Sequence, residues 1–126
     1  MPEPLKILLI DDDVAIRTIS MLALERVGGA QVRLAESGAR GLELAADGWA
    51  DVVLLDMNMP CMDGPETARH LRDLPGCEDL PVIVLTAHPN AETLASLIPN
   101  AIGAIQKPFD PMTLTDEIHR YLSAAN

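Results

Sequence analysis

The sequence predicts a doubly wound α/β fold: one sheet of five parallel strands covered on both faces by five helices. Three observations predict it. Short apolar runs alternate with helix-period stretches along the whole chain. The 48% hydrophobic fraction is built from aliphatic and small residues, since Trp49, Phe109 and Tyr121 are the only aromatics, and such side chains suit layered packing. The run Val52 to Leu55 is apolar without alternation, as a strand buried on both faces requires.

Each element follows from local signals. Leu5 to Ile10 reads as the first strand. Val14 to Val27 follows as a helix with Ile16, Ile19, Leu22 and Ala23 on one side, stopped by Gly28 and Gly29. Ala30 to Ala35 is a weaker strand, and Arg33 within it places it toward an edge. Ser37 is the N-cap of a second helix over Gly38 to Asp47. After the third strand, Pro65 sits where a helix begins, Glu66 to Leu74 completes it, and Pro75 to Leu80 is a loop. Pro81 to Leu85 is the fourth strand and Ala91 to Ile98 a short helix, with Pro99 placed to shorten it. Ile102 to Gln106 and Met112 to Leu122 form the last strand and helix.

Length and charge narrow the functional classes. A chain of 126 residues fits one domain, here residues 1–126, with no repeat and no low-complexity linker. A net charge of −10 opposes a grip on phosphate backbones or anionic membranes, so neither nucleic acid nor membrane is an expected partner. The apolar runs are strand-length and the N-terminal MPEPLK lacks a signal-peptide layout, which points to a cytoplasmic protein. Cys61 and Cys77 form no metal-ligand spacing and read as free thiols in or near loops.

In doubly wound folds ligands bind at the carboxyl ends of the strands. Asp11, Asp12 and Asp13 follow the first strand, Asp56 the third, Thr86 the fourth and Lys107 the fifth. Three acids held together need a cation or a proton, and an all-oxygen set suits Mg²⁺, which keeps room for waters and phosphate oxygens. Asp56, at a rigid strand tip, is then a candidate nucleophile toward phosphorus, with Thr86 and Lys107 supplying a donor and a positive charge. The Asn58-Met59-Pro60 turn lets a backbone carbonyl face the cation, and Gly64 lets the chain bend into the next helix.

From ILLIDDD through LLDMNMPCMDG and VLTA to QKPF, the chain resembles the receiver domain of bacterial two-component response regulators, the CheY-like family. The resemblance implies a flavodoxin-like strand order 2-1-3-4-5 and a phosphorylation-dependent signalling switch rather than an enzyme. Asp56 would be the phosphoacceptor, Asp11, Asp12, Asp56 and the carbonyl of Asn58 the Mg²⁺ ligands, and Thr86 and Lys107 the readers of the phosphoryl group. It also implies a phosphohistidine donor on a sensor histidine kinase or histidine phosphotransfer protein. A downstream protein target or an effector domain in a longer chain would receive the signal. A cis peptide at Lys107–Pro108 belongs to the same pattern. One departure matters: the family's usual aromatic three residues before the lysine is here Ala104, which predicts a smaller rearrangement on activation.

Plainer readings stand beside these. Asp13 reads as a helix cap and Trp49 as packing. His70 and His119 read as surface residues. Met57, Met59 and Met62 read as gap-filling or partner-facing surface. His88 borders the site in the family and is equally an ordinary loop histidine. Two alternative functions remain: a receiver-fold scaffold that works without phosphorylation, and a haloacid-dehalogenase-type phosphatase using Asp11. The second lacks the expected Thr or Val at Ala15 and leaves LLDMNMP unexplained.

Overall fold

The computed structural model describes residues 3–125. Its strands are β1 (Lys6–Ile10), β2 (Gln31–Ala35), β3 (Val52–Asp56), β4 (Val82–Thr86) and β5 (Ala101–Gln106). All neighbours pair in parallel, in the order β2-β1-β3-β4-β5. The helices are α1 (Val14–Leu22), α2 (Gly38–Ala45), α3 (Gly64–Asp73), α4 (Ala91–Ala95) and α5 (Leu114–Ala125). Five strands, five helices and the implied order are all present, and the strand carrying Arg33 lies at an edge.

Strand periodicity sorts the core into two layers. Leu8 and Ile10 pack with Val53 and Leu55 under α2, α3 and α4, whereas Ile7 and Leu9 pack with Leu54, Leu114 and Ile118 against α5 and the end of the first helix. β3 and β4 are buried along their whole length. Their C-terminal ends are therefore held from both faces, which makes Asp56 and Thr86 fixed points.

Capping follows the sequence in two places. Asp13 accepts hydrogen bonds from the amides of Ala15 at 2.8 Å and Ile16 at 3.4 Å, and Ser37 accepts from Arg40 N–H at 3.1 Å. A third cap, Asp63, was not anticipated. Its carboxylate accepts from Glu66 N–H at 2.9 Å, so α3 begins at Gly64, ahead of Pro65.

The first helix departs from its expected face. Ile19 and Leu22 are 44% and 51% exposed, while Ser20, Ala23 and Leu24 are buried. The face turned inward runs through Ile16, Ser20, Ala23 and Leu24, an i, i+4, i+7, i+8 set that keeps only Ile16 and Ala23 of the expected face, and the helix ends in a π-helical turn over Ala23–Val27. Gly28 closes it through an N–H bond to the Ala23 carbonyl at 3.1 Å, and a side chain there would collide with Thr115 on α5.

α4 also ends early, at Ala95 rather than Ile98. The amides of Leu97 and Ile98 bond to the carbonyls three residues before them, so the chain tightens ahead of Pro99 and turns into β5 through Asn100, whose φ is +62°. α5 starts at Leu114 instead of Met112, because the Asp110 carboxylate accepts from Met112 N–H at 2.9 Å and holds a turn. It runs on to Ala125, three residues past the predicted end. Trp49 packs beneath the Arg33 guanidinium, 4.2 Å from its ring centroid. Both cysteines are free, Cys61 exposed and Cys77 buried, and Lys107–Pro108 is cis.

Candidate active site

The strand ends converge as the fold requires. Asp11 follows β1, Asp56 closes β3, Thr86 closes β4 and Lys107 follows β5. Asp11 is fully buried, Asp56 is 4% exposed and Thr86 1%, whereas Asp12 is exposed. Carboxylate oxygens of Asp11, Asp12 and Asp56 lie within 4.8 Å of one another. Three acids at that spacing are a set that could hold a hard cation with oxygen ligands.

Lys107 already supplies part of the counter-charge. Its Nζ lies 2.8 Å from Asp11 Oδ2 and 3.3 Å from Asp56 Oδ1. Asp11 Oδ1 accepts from Asp13 N–H at 2.9 Å, and Asp56 Oδ1 accepts from Asn58 N–H at 3.2 Å. Burial, then the neighbouring Asp11, push the Asp56 carboxyl up to about 6, with Lys107 and the Asn58 amide pulling the other way. For Lys107, burial lowers the pKa, but the bonds and charges of Asp11 and Asp56 outweigh it and raise it. The ammonium stays charged.

Thr86 Oγ1 accepts from His88 N–H at 3.1 Å, and the Thr86 carbonyl accepts from Lys107 N–H at 2.8 Å. One residue therefore ties the loop after β4 to the lysine after β5. His88 borders the site through its backbone, with its Nδ1 accepting from Asn90 N–H at 3.0 Å.

Gly64 is needed for a reason other than the anticipated bend. A Cβ there would stand 2.8 Å from the Asp56 carbonyl oxygen and 2.8 Å from Met57 Cα. The start of α3 thus presses directly on the strand end that carries Asp56, and the Gly64 amide bonds to the Met57 carbonyl at 3.1 Å. Met59 is buried beside them and Met57 and Met62 half-buried, which fits gap-filling.

Sequence reasoning missed Arg17, whose Nη1 donates to the Asp11 carbonyl at 2.8 Å. An arginine one turn into the helix after an acidic triplet was the available signal.

Residues 7–119 match the family described as response regulator receiver domain. The chain belongs to that family. It is 40% identical over 107 residues to the response regulator MprA of Mycobacterium sp. (strain KMS), covering 84% of this chain and 45% of that protein. The receiver thus spans about half the length of the curated relatives that it matches first. Among solved structures, the chemotaxis response regulator CheY4 of Vibrio cholerae is similar at TM-score 0.85 and 30% identity, over 94% of this chain and 99% of that one. The receiver domain of the sensor histidine kinase PA1611 from Pseudomonas aeruginosa, solved with a magnesium ion coordinated in its active site cleft, shares the fold at TM-score 0.83 and 24% identity, over 96% and 99% of the two chains.

Proposed function

We propose that this receiver accepts a phosphoryl group onto Asp56 from a phosphohistidine on a sensor histidine kinase or histidine phosphotransfer protein. The observation that carries the reading is the buried Asp56 carboxylate, fixed at a strand end, sharing Lys107 with Asp11 and lying within ligand distance of Asp12.

Asp11, Asp12 and Asp56, with the Asn58 carbonyl, would hold Mg²⁺, and the all-oxygen donor set fits it. Bound there, the ion supplies positive charge to the phosphoryl oxygens. The chain's own groups do the rest. The Asp56 carboxylate oxygen forms the new bond to phosphorus as the nitrogen–phosphorus bond breaks and the leaving imidazole takes the electron pair. Lys107 neutralises the oxygens of the transferred group, and the Thr86 hydroxyl donates to one of them.

In the unphosphorylated protein the Thr86 hydroxyl accepts the His88 amide, and its own O–H is left to donate, so a pull of the phosphoryl group on Thr86 is passed to His88. Phosphorylation is thereby read as a change in the loop that precedes α4, a switch between two populated arrangements. With Ala104 in place of a ring, that rearrangement should be small.

Asp11 is a poor nucleophile here. It is fully buried, with Oδ2 on Lys107 and Oδ1 on the Asp13 amide, which disfavours a phosphatase reading. The scaffold reading has no comparable support, because every acid of the cluster and the lysine is in place. We place the protein in the cytoplasm, consistent with the fact that no helix among the described residues is long and apolar enough to cross a membrane. It acts as a receiver unit, alone or joined to an effector.

The test is intact-protein mass spectrometry after incubation with Mg²⁺ and a small acyl phosphate. A single base-labile phosphate adduct, dependent on Mg²⁺ and lost in Asp56→Asn, is expected. No adduct from either an acyl phosphate or a phosphohistidine protein would sink the reading.

A further inference from the structure

One opening that phosphoryl transfer does not use lies over Ala104. It is a cavity of about 410 Å³ whose polar lining comes from Asn90, Glu92, Thr93 and Gln106, with the buried alanines Ala91 and Ala104 behind them. Glu92 also lines a second cavity of about 240 Å³, with Ala95, Ile102 and Tyr121. The Tyr121 ring lies against Gly103, and its hydroxyl donates to the Ala104 carbonyl at 2.8 Å. The Tyr121 ring is thus tied to the β5 backbone by its hydroxyl, and the space over Ala104 is open.

We infer that these adjoining cavities form a preformed receptor for an arginine side chain of a protein partner, and that Thr86 controls its shape. The choice of arginine rests on chemistry. Among the described residues, Glu92 is the one charged residue on either lining, and no cation lines either cavity. The amide oxygens of Asn90 and Gln106 and the Thr93 hydroxyl add neutral acceptors, and a planar guanidinium carries five donors to meet such a set. A five-residue helix offers little macrodipole to oppose the cation. The Ala95, Ile102 and Tyr121 wall suits the aliphatic stem of an arginine and the peptide beside it. A chain of net charge −10 also draws a basic partner.

Control by Thr86 follows two short links. Thr86 Oγ1 holds the His88 amide, and His88 Nδ1 holds the Asn90 amide, which belongs to the cavity wall. Gln106, on the opposite wall, is the β5 residue paired with Thr86. Loss of the hydroxyl contact should therefore move the wall that carries Asn90 relative to Gln106, which the β4–β5 pairing holds in place. The connection to phosphorylation rests on the function proposed above, but the receptor does not.

The test is an amide NMR titration of the unphosphorylated protein with N-acetyl-arginine amide at constant ionic strength, with N-acetyl-phenylalanine amide as the alternative occupant. Expected are saturable shifts centred on Asn90, Glu92, Thr93 and Gln106 for the arginine probe. They should vanish in Ala104→Phe, weaken at least fivefold in Glu92→Gln, and change in affinity at least threefold in Thr86→Val. Absence of saturable shifts, preference for the phenylalanine probe, or indifference to both Ala104→Phe and Glu92→Gln would overturn the receptor. An unchanged affinity in Thr86→Val would overturn its control by Thr86. Because no phosphate is involved, failure of the acyl-phosphate experiment leaves this result independent.

Discussion

Lys107 Nζ stands 2.8 Å from Asp11 Oδ2, joining residues at opposite ends of the chain across the mouth of the sheet. The carboxylate is fully buried and the lysine side chain is 18% exposed, so the pair is shielded from solvent in a way that surface ion pairs are not. Lys107→Met should leave Asp11 and Asp56 repelling each other with no cation between them. The metal-free variant is expected to lose about 3 kcal/mol in urea denaturation, the usual scale for breaking a buried pair. Millimolar Mg²⁺ should restore part of that loss, since the ion takes over the charge. A variant as stable as wild type without metal would show that Lys107 does not hold the acids together.

Asp56 sets a pH dependence of definite sign. Its carboxyl ionises near 3.8 in an unfolded chain and near 6 in the fold, where burial and then Asp11 resist the charge. Between those values the folded protein holds a proton that the unfolded chain has lost. This contribution is thus fully present below pH 3.8 and disappears as pH rises through 6. In metal-free protein, Asp56→Asn should gain little stability over wild type at pH 4 and progressively more as pH rises, reaching roughly 3 kcal/mol by pH 7. The same proton competes with metal, so apparent Mg²⁺ affinity should fall about tenfold per pH unit below 6. Calorimetric titrations at pH 5, 6 and 7 would expose the idea as wrong if affinity stayed level.

Most of the fold was legible because its signals are local. The alternation of strand-length and helix-length runs set the layers, Arg33 marked the edge strand, and Ser37 and Asp13 marked helix starts. The convergence of the candidate-site residues was legible because each ends or follows a strand, and a doubly wound sheet brings those ends together. What escaped depends on packing. The π-helical turn at Ala23–Val27 has no sequence mark of its own, and the burial of Ser20 in place of Ile19 and Leu22 is decided by packing rather than by hydropathy. Gly64 was visible as a flexible residue, but only the proximity of α3 to the end of β3 explains why a side chain is excluded. Ala104 was visible as a missing ring, and the cavities beside it were not.

Gly64→Ala tests that proximity. The added methyl would meet the Asp56 carbonyl oxygen and Met57 Cα, backbone atoms of the strand end that cannot rotate away. Either α3 or the Asp56 segment must shift. We expect a loss of about 1–3 kcal/mol, the range for overpacking, and a slower phosphorylation rate at saturating Mg²⁺. Wild-type stability together with a wild-type phosphorylation rate would mean that α3 moves freely and does not position Asp56.

Tyr121 offers a separation of packing from hydrogen bonding at the other end of the sheet. Its ring covers Gly103, where a Cβ would collide with the aromatic carbons, and its hydroxyl donates to the Ala104 carbonyl at 2.8 Å. Tyr121→Phe keeps the ring and removes one hydrogen bond, so it should cost about 1 kcal/mol. Gly103→Ala should cost more, because the ring must leave its place and release both contacts. If the hydroxyl is what holds the ring against β5, Tyr121→Phe should also increase ring mobility, seen as faster aromatic flipping by NMR. A ring equally fixed in Tyr121→Phe would assign its position to packing alone, and the space over Ala104 would then stay open without help from the hydrogen bond.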